Sequence, residues 1–160
     1  MLVLDTNTVL DWLVFGDGAA QAVGQAIGRG DLRWLATPHM LAELRAVLGR
    51  PLAPRWERAR ELALTIDISP LAALCAEPER GRLQCRDPAD QRFIDLALAR
   101  RPALLLTRDR ALLALRRPAA TAGVRIETAA AWLAARIEGP RPSGVETTPS
   151  RDPGRPQTPR

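Results

Sequence analysis

Four carboxylates fall at positions where a parallel α/β protein would bring them together. Asp5 directly follows the apolar run 2–4, and Asp109 comes two residues after the apolar segment 103–107. Because ligands of open α/β sheets bind outside the carboxyl ends of the strands, we expect both carboxylates at one cleft. Glu43 and Asp90 are expected on helices beside it.

Helical spacing directs the side chains of Glu43 and Asp90 toward the boundary of the core. With about 100° per residue, Glu43 lies on the edge of the apolar stripe of the predicted helix 40–48. Asp90 precedes the apolar residues of 93–97 by three, four and seven positions, so it shares their inward face. Asp95 falls off that stripe and is predicted to be solvated.

Carboxylates gathered in this way would repel one another, and burial raises the cost further. A bound divalent cation removes the conflict. The chain has a single histidine, His39, for which a surface or packing role is favoured. Oxygen ligands without a histidine cluster indicate Mg²⁺ or Mn²⁺ rather than Zn²⁺. Such an ion activates water and polarises a phosphate, which suits phosphodiester hydrolysis.

Each acidic residue also has a structural interpretation. Asp5 and Asp109 each precede a predicted helix and could simply cap it. Glu43 could be a partly buried partner of an arginine. Asp87 precedes a proline and is favoured as an N-cap, and Asp90, three residues later, completes a pattern like a capping box. The joint placement of four carboxylates on one side of one sheet favours a functional site.

The composition excludes several kinds of chemistry. All 23 basic residues are arginines, so P-loop phosphate binding and lysine Schiff bases are impossible. The net charge of +5 permits a polyanionic partner such as a nucleic acid.

The two cysteines bear on the compartment. Cys75 and Cys85 occur in a chain whose first residues reach Asp5 without the basic region of a signal peptide, so we expect free thiols and a cytoplasmic location. The longest apolar runs are a few residues, so no membrane-spanning segment is predicted.

Apolar runs alternate with helical segments along the chain, which predicts an α/β fold with a mostly parallel sheet. The predicted strands are 2–4, 32–36, 66–68, 103–107 and 124–126. The predicted helices are 8–15, 19–27, 40–48, 55–64, 88–100, 110–115 and 129–137. Residues 69–86 show no clear pattern. We expect one domain over 1–138 and a Pro- and Arg-rich disordered tail over 139–160, or alternatively a basic tail that binds RNA or a partner.

Four short motifs, in order along the chain, resemble those of PIN domains, and in particular the toxin components of toxin–antitoxin systems. They are Leu-Val-Leu-Asp-Thr-Asn (2–7), Leu-Ala-Glu-Leu (41–44), Cys-Arg-Asp-Pro-Ala-Asp-Gln-Arg-Phe (85–93) and Leu-Leu-Thr-Arg-Asp (105–109). The resemblance covers about residues 1–137. It implies a three-layer α/β/α fold, a ribonuclease site dependent on Mg²⁺ or Mn²⁺, a cognate antitoxin as partner and a possible homodimer.

Residue by residue, the resemblance implies catalytic and metal-binding roles for four acidic residues. These are Asp5, Glu43, Asp90 and Asp109. Asn7 matches a polar residue that supports the first aspartate, Thr107 matches the Thr or Ser before the last one, and Asp87 belongs to the third motif without an assigned role. Ala111 stands where many relatives carry a further acidic residue, which puts a two-metal mechanism in doubt.

The implied reaction is in-line attack of water on an RNA phosphate, leaving a 5′-phosphate and a 3′-hydroxyl. Four arginines near the cleft could bind flanking phosphates or could be ordinary surface residues: Arg86, Arg92, Arg108 and Arg110. The main alternative is a non-catalytic PIN scaffold that binds RNA or a protein. A haloacid-dehalogenase-type phosphatase is disfavoured, because it needs a lysine and an aspartate where Asn7 stands.

Overall fold

Five parallel strands form the central sheet of the computed structural model, which describes residues 1–101 and 103–138. In chain order they are β1 (Leu2–Leu4), β2 (Trp34–Ala36), β3 (Ala72–Leu74), β4 (Ala103–Leu106) and β5 (Val124–Glu127). Their order across the sheet is β3-β2-β1-β4-β5, and every neighbouring pair is parallel. The predicted tail 139–160 lies outside the described residues.

Helices cover both faces of this sheet. Those of the described part are α1 (Thr6–Leu13), α2 (Gly18–Gly28), α3 (Pro38–Leu48), α4 (Pro54–Thr65), α5 (Gln91–Ala99), α6 (Arg110–Leu113), α7 (Arg116–Thr121) and α8 (Ala129–Glu138). Buried residues of α1–α4 and α8 pack with one face of the sheet, except for Met40 of α3, which packs with those of α5–α7 on the other face. The structure therefore confirms the predicted three-layer α/β/α fold.

Alternate residues of each central strand enter the two separate cores. Leu2 and Leu4 contribute to the core on the side of α1, whereas Val3, between them, contributes to the core on the side of α5. The same alternation holds in β4, where Leu104 pairs in register with Leu2. Because both faces are covered, no polar residue interrupts either run, and this is the pattern from which the strands were predicted.

The predicted strand at 66–68 is wrong. Ile66 is the C-cap of α4, and a 3₁₀ turn at Ser69–Leu71 leads into β3, which lies within the stretch that showed no clear pattern. β3 is the edge strand beside β2, and its last residue, Leu74, is 59% exposed. The strand, Ala-Ala-Leu, has no β-branched or aromatic residue, so its sequence shows little preference for a strand.

Two helices also differ from the predicted segments. The predicted helix 88–100 begins only at Gln91, because the chain first makes a tight turn in which Asp90 N–H donates to the carbonyl of Asp87. The helix α7 was not predicted, since its sequence contains Pro118.

Two expectations about the chain as a whole can be compared with the structure. Cys75 and Cys85 are free thiols, as predicted. Among the described residues, no helix is both long enough and apolar enough to span a membrane.

Candidate active site

The site lies where the strand order reverses direction. β1 and β4 are neighbours in the sheet although β2 and β3 intervene in sequence, so the helices after these two strands leave toward opposite faces. A crevice at the carboxyl ends of such a strand pair is the usual ligand-binding position in open α/β folds. Asp5 directly follows β1, and Thr107 directly follows β4.

Asp5 is held rigidly at this position. It is 2% exposed, its Oδ1 accepts from the Thr8 N–H at 2.6 Å, and its Oδ2 accepts from the Thr107 hydroxyl. Burial raises the pKa of Asp5, although these hydrogen bonds oppose the rise. Asp5 therefore caps α1, as the structural interpretation allowed, and still carries free lone pairs on both oxygens.

Asn7 does not take the supporting place that the resemblance implied. Its side chain is exposed on the first turn of α1, and among the described residues the hydrogen bonds to the Asp5 carboxylate come from Thr8 and Thr107. Asp5 is therefore oriented by a backbone amide and by a hydroxyl from the neighbouring strand end.

Asp109 is fixed by the same hydroxyl group. Thr107 Oγ1 accepts from the Asp109 N–H at 2.9 Å, while Asp109 Oδ1 accepts from the N–H groups of Ala111 and Leu112 at 2.6 and 3.3 Å. Asp109 thus caps α6 through one oxygen and leaves Oδ2 available. One threonine links the two aspartates, which were both predicted from strand ends.

Asp90 shows where the carboxylates converge. Its pKa is raised to about 6 by partial burial and by the charges of four other carboxylates, namely Asp109, Asp87, Asp5 and Glu43 in decreasing order. It occupies the N-cap position of α5, yet within the described part of the chain its side chain makes no capping hydrogen bond. The structural interpretation of Asp90 as a cap is therefore not realised.

Glu43 faces the same cleft from α3 but is already paired. Its Oε2 lies 2.6 Å from Nη1 of Arg92 on α5, and the two side chains are 30% and 26% exposed. The arginine partner that was left open in the sequence is thus Arg92. Glu43 acts on the pKa of Asp90 more weakly than the three aspartates do.

Asp87 is exposed and shapes the turn before α5. Its Oδ1 accepts from the Ala89 N–H at 2.9 Å, which stabilises a local turn rather than the first turn of the helix. Its charge also raises the pKa of Asp90, so Asp87 belongs to the electrostatic surroundings of the site.

One further residue at the site, Asp11, was missed in the sequence. Asp11 Oδ2 lies 3.3 Å from Nε of Arg108, and the charge of Arg108 lowers the pKa of both Asp11 and Asp5. Burial raises the pKa of Asp11 above its usual value despite this pair. Asp11 follows Thr8 by three residues on α1, so helical spacing from the residue that Asp5 caps was the available signal.

Asp95 is buried, and the prediction that it is solvated is wrong. It is 7% exposed, and its Oδ1 accepts from the Gly81 N–H and from Gln91 Nε2, each at 2.8 Å. Gln91 in turn accepts from the Cys85 N–H at 2.7 Å and donates to the carbonyl of Leu83 at 2.8 Å. This buried network fastens the loop that leads to the candidate site.

Two cavities flank the turn at Pro88. One of about 620 Å³ is lined by Arg86, Asp87, Asp109 and Arg110. The other, of about 400 Å³, is lined by Arg92, Arg80, His39, Glu77 and Asp95. Arg86 and Arg110 therefore line the cavity that contains Asp109, Arg92 lines the cavity that contains none of the four predicted catalytic acids, and Arg108 is paired with Asp11.

Residues 1–111 match the family model described as PIN domain. The chain belongs to the PIN domain family. The match contains all four acidic residues that were predicted to be catalytic, and it ends before α7, β5 and α8. PIN domains are in general nucleases that use divalent metals and bind nucleic acid, and the PIN domain of this chain has the parallel α/β architecture expected of the family. No match to the chain was found among curated proteins or among solved structures.

The oxygen donors of this PIN domain fit a hard divalent cation, although the described side chains do not form a complete set of metal ligands. Within residues 1–101 and 103–138, no three His, Cys, Asp or Glu side chains form a ready metal-binding group. Asp5 and Asp109 keep free lone pairs, and the pKa of Asp90 is raised to about 6 by partial burial and by the charges of neighbouring carboxylates. Carboxylate oxygens in such surroundings suit Mg²⁺ or Mn²⁺.

Proposed function

We propose that this PIN domain is a metal-dependent endoribonuclease, with Asp5, Asp90 and Asp109 as the residues that hold Mg²⁺ or Mn²⁺. The observation that carries the proposal is the surroundings of Asp90. A carboxylate that makes no capping hydrogen bond, and whose pKa is raised by burial and by the charges of four other carboxylates, is a costly arrangement for a purely structural site.

In the proposed reaction, the aspartates hold the cation that activates water and the phosphate. Asp5 and Asp109 are oriented by hydrogen bonds that leave free lone pairs, so their approach to an ion needs little reorganisation. A bound divalent cation would supply Lewis-acid polarisation of the phosphate and a more acidic water. Water adds to phosphorus and the 3′-oxygen leaves, which gives a 5′-phosphate and a 3′-hydroxyl.

The arginines favour a polyanionic substrate. Arg86 and Arg110 line the cavity that also contains Asp87 and Asp109, so a phosphate backbone could follow the cleft past the carboxylates. The net charge of +5 adds a general attraction for nucleic acid. RNA, rather than DNA, is proposed on the resemblance to the toxin branch.

The biological role proposed from that resemblance is the toxin of a toxin–antitoxin pair in the cytoplasm, with a cognate antitoxin and a homodimer as partners. Induced expression of the chain should arrest growth, and expression of the neighbouring open reading frame should relieve the arrest. Growth that is unaffected by active protein would remove the toxin role and leave the nuclease proposal in place.

A non-catalytic scaffold is the second candidate, because three of the four carboxylates already have structural partners. Incubation of labelled single-stranded RNA with purified protein distinguishes the two. The nuclease should cut with Mn²⁺ or Mg²⁺, stop in EDTA and gain thermal stability from Mn²⁺. Binding without cutting, and no stabilisation by Mn²⁺, would establish the scaffold.

A further inference from the structure

We propose that Arg92, held by Glu43, takes the place of a second divalent cation, so that the chain binds one metal ion and its guanidinium binds the RNA phosphate. This inference rests on the proposed function. It changes the role of Glu43, which becomes a positioning residue for Arg92 rather than a ligand of a metal ion.

The geometry of the pair is the first support. Arg92 Nη1 lies 2.6 Å from Glu43 Oε2, a short charge-assisted hydrogen bond between helices α3 and α5. The bond joins residues 49 positions apart, so it fixes the guanidinium against a separate element of the fold. A carboxylate oxygen engaged in this way is compensated, and its attraction for a further cation is reduced.

The donors that Arg92 retains are the second support. A guanidinium has five N–H donors, and within the described part of the chain Arg92 makes its hydrogen bond to Glu43 through Nη1. Its side chain is 26% exposed and lines a cavity of about 400 Å³ together with Arg80 and the acidic residues Glu77 and Asp95. The remaining donors are therefore next to space that a phosphate could occupy.

The position of Arg92 is the third support. It follows Asp90 by two residues at the start of α5, so the helix presents a carboxylate and a guanidinium at the same end. A cation held by Asp90 and a guanidinium fixed at the same end of α5 would give an extended phosphate backbone two positive partners. Such preorganised groups act on the developing charge without reorganising during the reaction.

The first measurement is a calorimetric titration of the full chain with Mn²⁺. We expect one equivalent for the wild type. Glu43→Gln should leave the affinity within about twofold, because Glu43 is not a ligand, whereas Asp90→Asn should weaken it by at least about tenfold. Two equivalents in the wild type, or a Glu43→Gln loss as large as that of Asp90→Asn, would overturn the inference and leave the nuclease proposal standing. No Mn²⁺ binding would remove both.

The second measurement is the affinity of a labelled single-stranded RNA of mixed sequence in EDTA, where neither cleavage nor a metal contributes. Arg92→Ala should weaken binding about tenfold or more, and the slope of log affinity against log salt should fall by about 0.7, as for one lost phosphate contact. Arg92→Lys keeps the charge and should recover part of the affinity and the full slope.

Arg29→Ala is the matched control for both measurements, because Arg29 forms an exposed pair with Asp31 at 3.0 Å, away from the carboxyl ends of the strands. It should leave the Mn²⁺ affinity, the RNA affinity and the salt slope unchanged. Circular dichroism would establish that every variant is folded. Folded Arg92→Ala protein that binds RNA like Arg29→Ala would overturn the inference.

Discussion

Thr107 donates its hydroxyl hydrogen bond to Oδ2 of Asp5, although 102 residues separate them. The hydroxyl oxygen of Thr107 in turn accepts from the Asp109 N–H at 2.9 Å. A single hydroxyl at the end of β4 therefore orients the carboxylates that follow two neighbouring strands. Because Asp5 is 2% exposed, its orientation depends on this contact rather than on water.

Replacement of Thr107 by valine keeps the volume and removes the hydroxyl. The loss of a hydrogen bond to a buried carboxylate should lower the free energy of unfolding by about 2 kcal/mol, measured by urea denaturation. The hydrogen bond lowers the pKa of Asp5, so the loss should grow as the pH rises and Asp5 ionises. Thr107→Ser should restore stability, and the exposed Thr121→Val should change it by less than about 0.5 kcal/mol. Equal stability of Thr107→Val and wild type would show that the contact is unimportant.

Asp90→Asn should stabilise the protein in EDTA. The pKa of about 6 arises from burial and repulsion, which act on the ionised carboxylate at neutral pH. Because Asp90 is partly exposed, solvent screens part of this repulsion. Removal of the charge should therefore raise the free energy of unfolding by about 1 kcal/mol. Thermal melting at neutral pH would measure the gain. Asp31→Asn removes an exposed carboxylate and should give no gain, and a destabilised Asp90→Asn would contradict the electrostatic interpretation.

The affinity for Mn²⁺ should depend on pH through the same group. The folded pKa of Asp90, about 6, lies above the ordinary value of 3.8. The folded state therefore holds its proton longer than the unfolded state, and the stability of metal-free protein should fall as the pH rises from about 4 to about 6. Mn²⁺ must displace that proton, so its affinity should rise up to about tenfold per unit toward pH 6 and level off above it. Calorimetry across this range checks the trend, and affinity independent of pH would refute it.

Asp95→Ala should loosen the loop before α5. The change leaves the Gly81 N–H and the Gln91 amide without their common acceptor, at a cost of about 2 kcal/mol. Limited trypsin digestion should then cut faster after Arg80 and Arg82, which lie in that loop. Asp95→Asn keeps one acceptor oxygen and should be milder. Digestion as slow as in the wild type would show that the loop is fastened by other contacts.

Gly24→Ala should destabilise the contact between α1 and α2. A Cβ atom at Gly24 would lie 2.1 Å from Cε2 of Trp12, a clash that costs about 1–3 kcal/mol. Gly28 lies in the same helix, and a Cβ there meets nothing within 4 Å. Gly28→Ala should be neutral or stabilising by up to about 1 kcal/mol, since alanine favours helix. The melting temperature of Gly24→Ala should therefore lie below those of the wild type and of Gly28→Ala, and equal shifts in the two variants would contradict the packing.

The positions of the strand-end aspartates could be predicted from sequence, because each follows an apolar run that both faces of the sheet bury. Their common location could be predicted because the carboxyl ends of parallel strands lie at the same edge of a sheet. The edge strand β3 could not be predicted in the same way. It is three residues long, and its burial decreases from Ala72 to Leu74.

The helix α5 shows why other residues were misassigned. A helical wheel assumes that one side of a helix is covered, but Phe93 and Ile94 face the sheet core while Asp95 is covered by the preceding loop. The pairing of Glu43 with Arg92 joins two helices whose approach depends on the tertiary structure. Spacing within either segment could not reveal it.

The cleavage rate of labelled single-stranded RNA in Mn²⁺, compared between variants, tests the central claim most directly. Asp5→Asn and Asp90→Asn should each lower the rate by at least about a hundredfold, more than the loss typical of residues outside the ligand shell. Asp31→Asn, which removes an exposed carboxylate paired with Arg29, should cut like the wild type. If Asp90→Asn protein, shown to be folded, cuts as fast as Asp31→Asn, the carboxylate cluster is not the catalytic site.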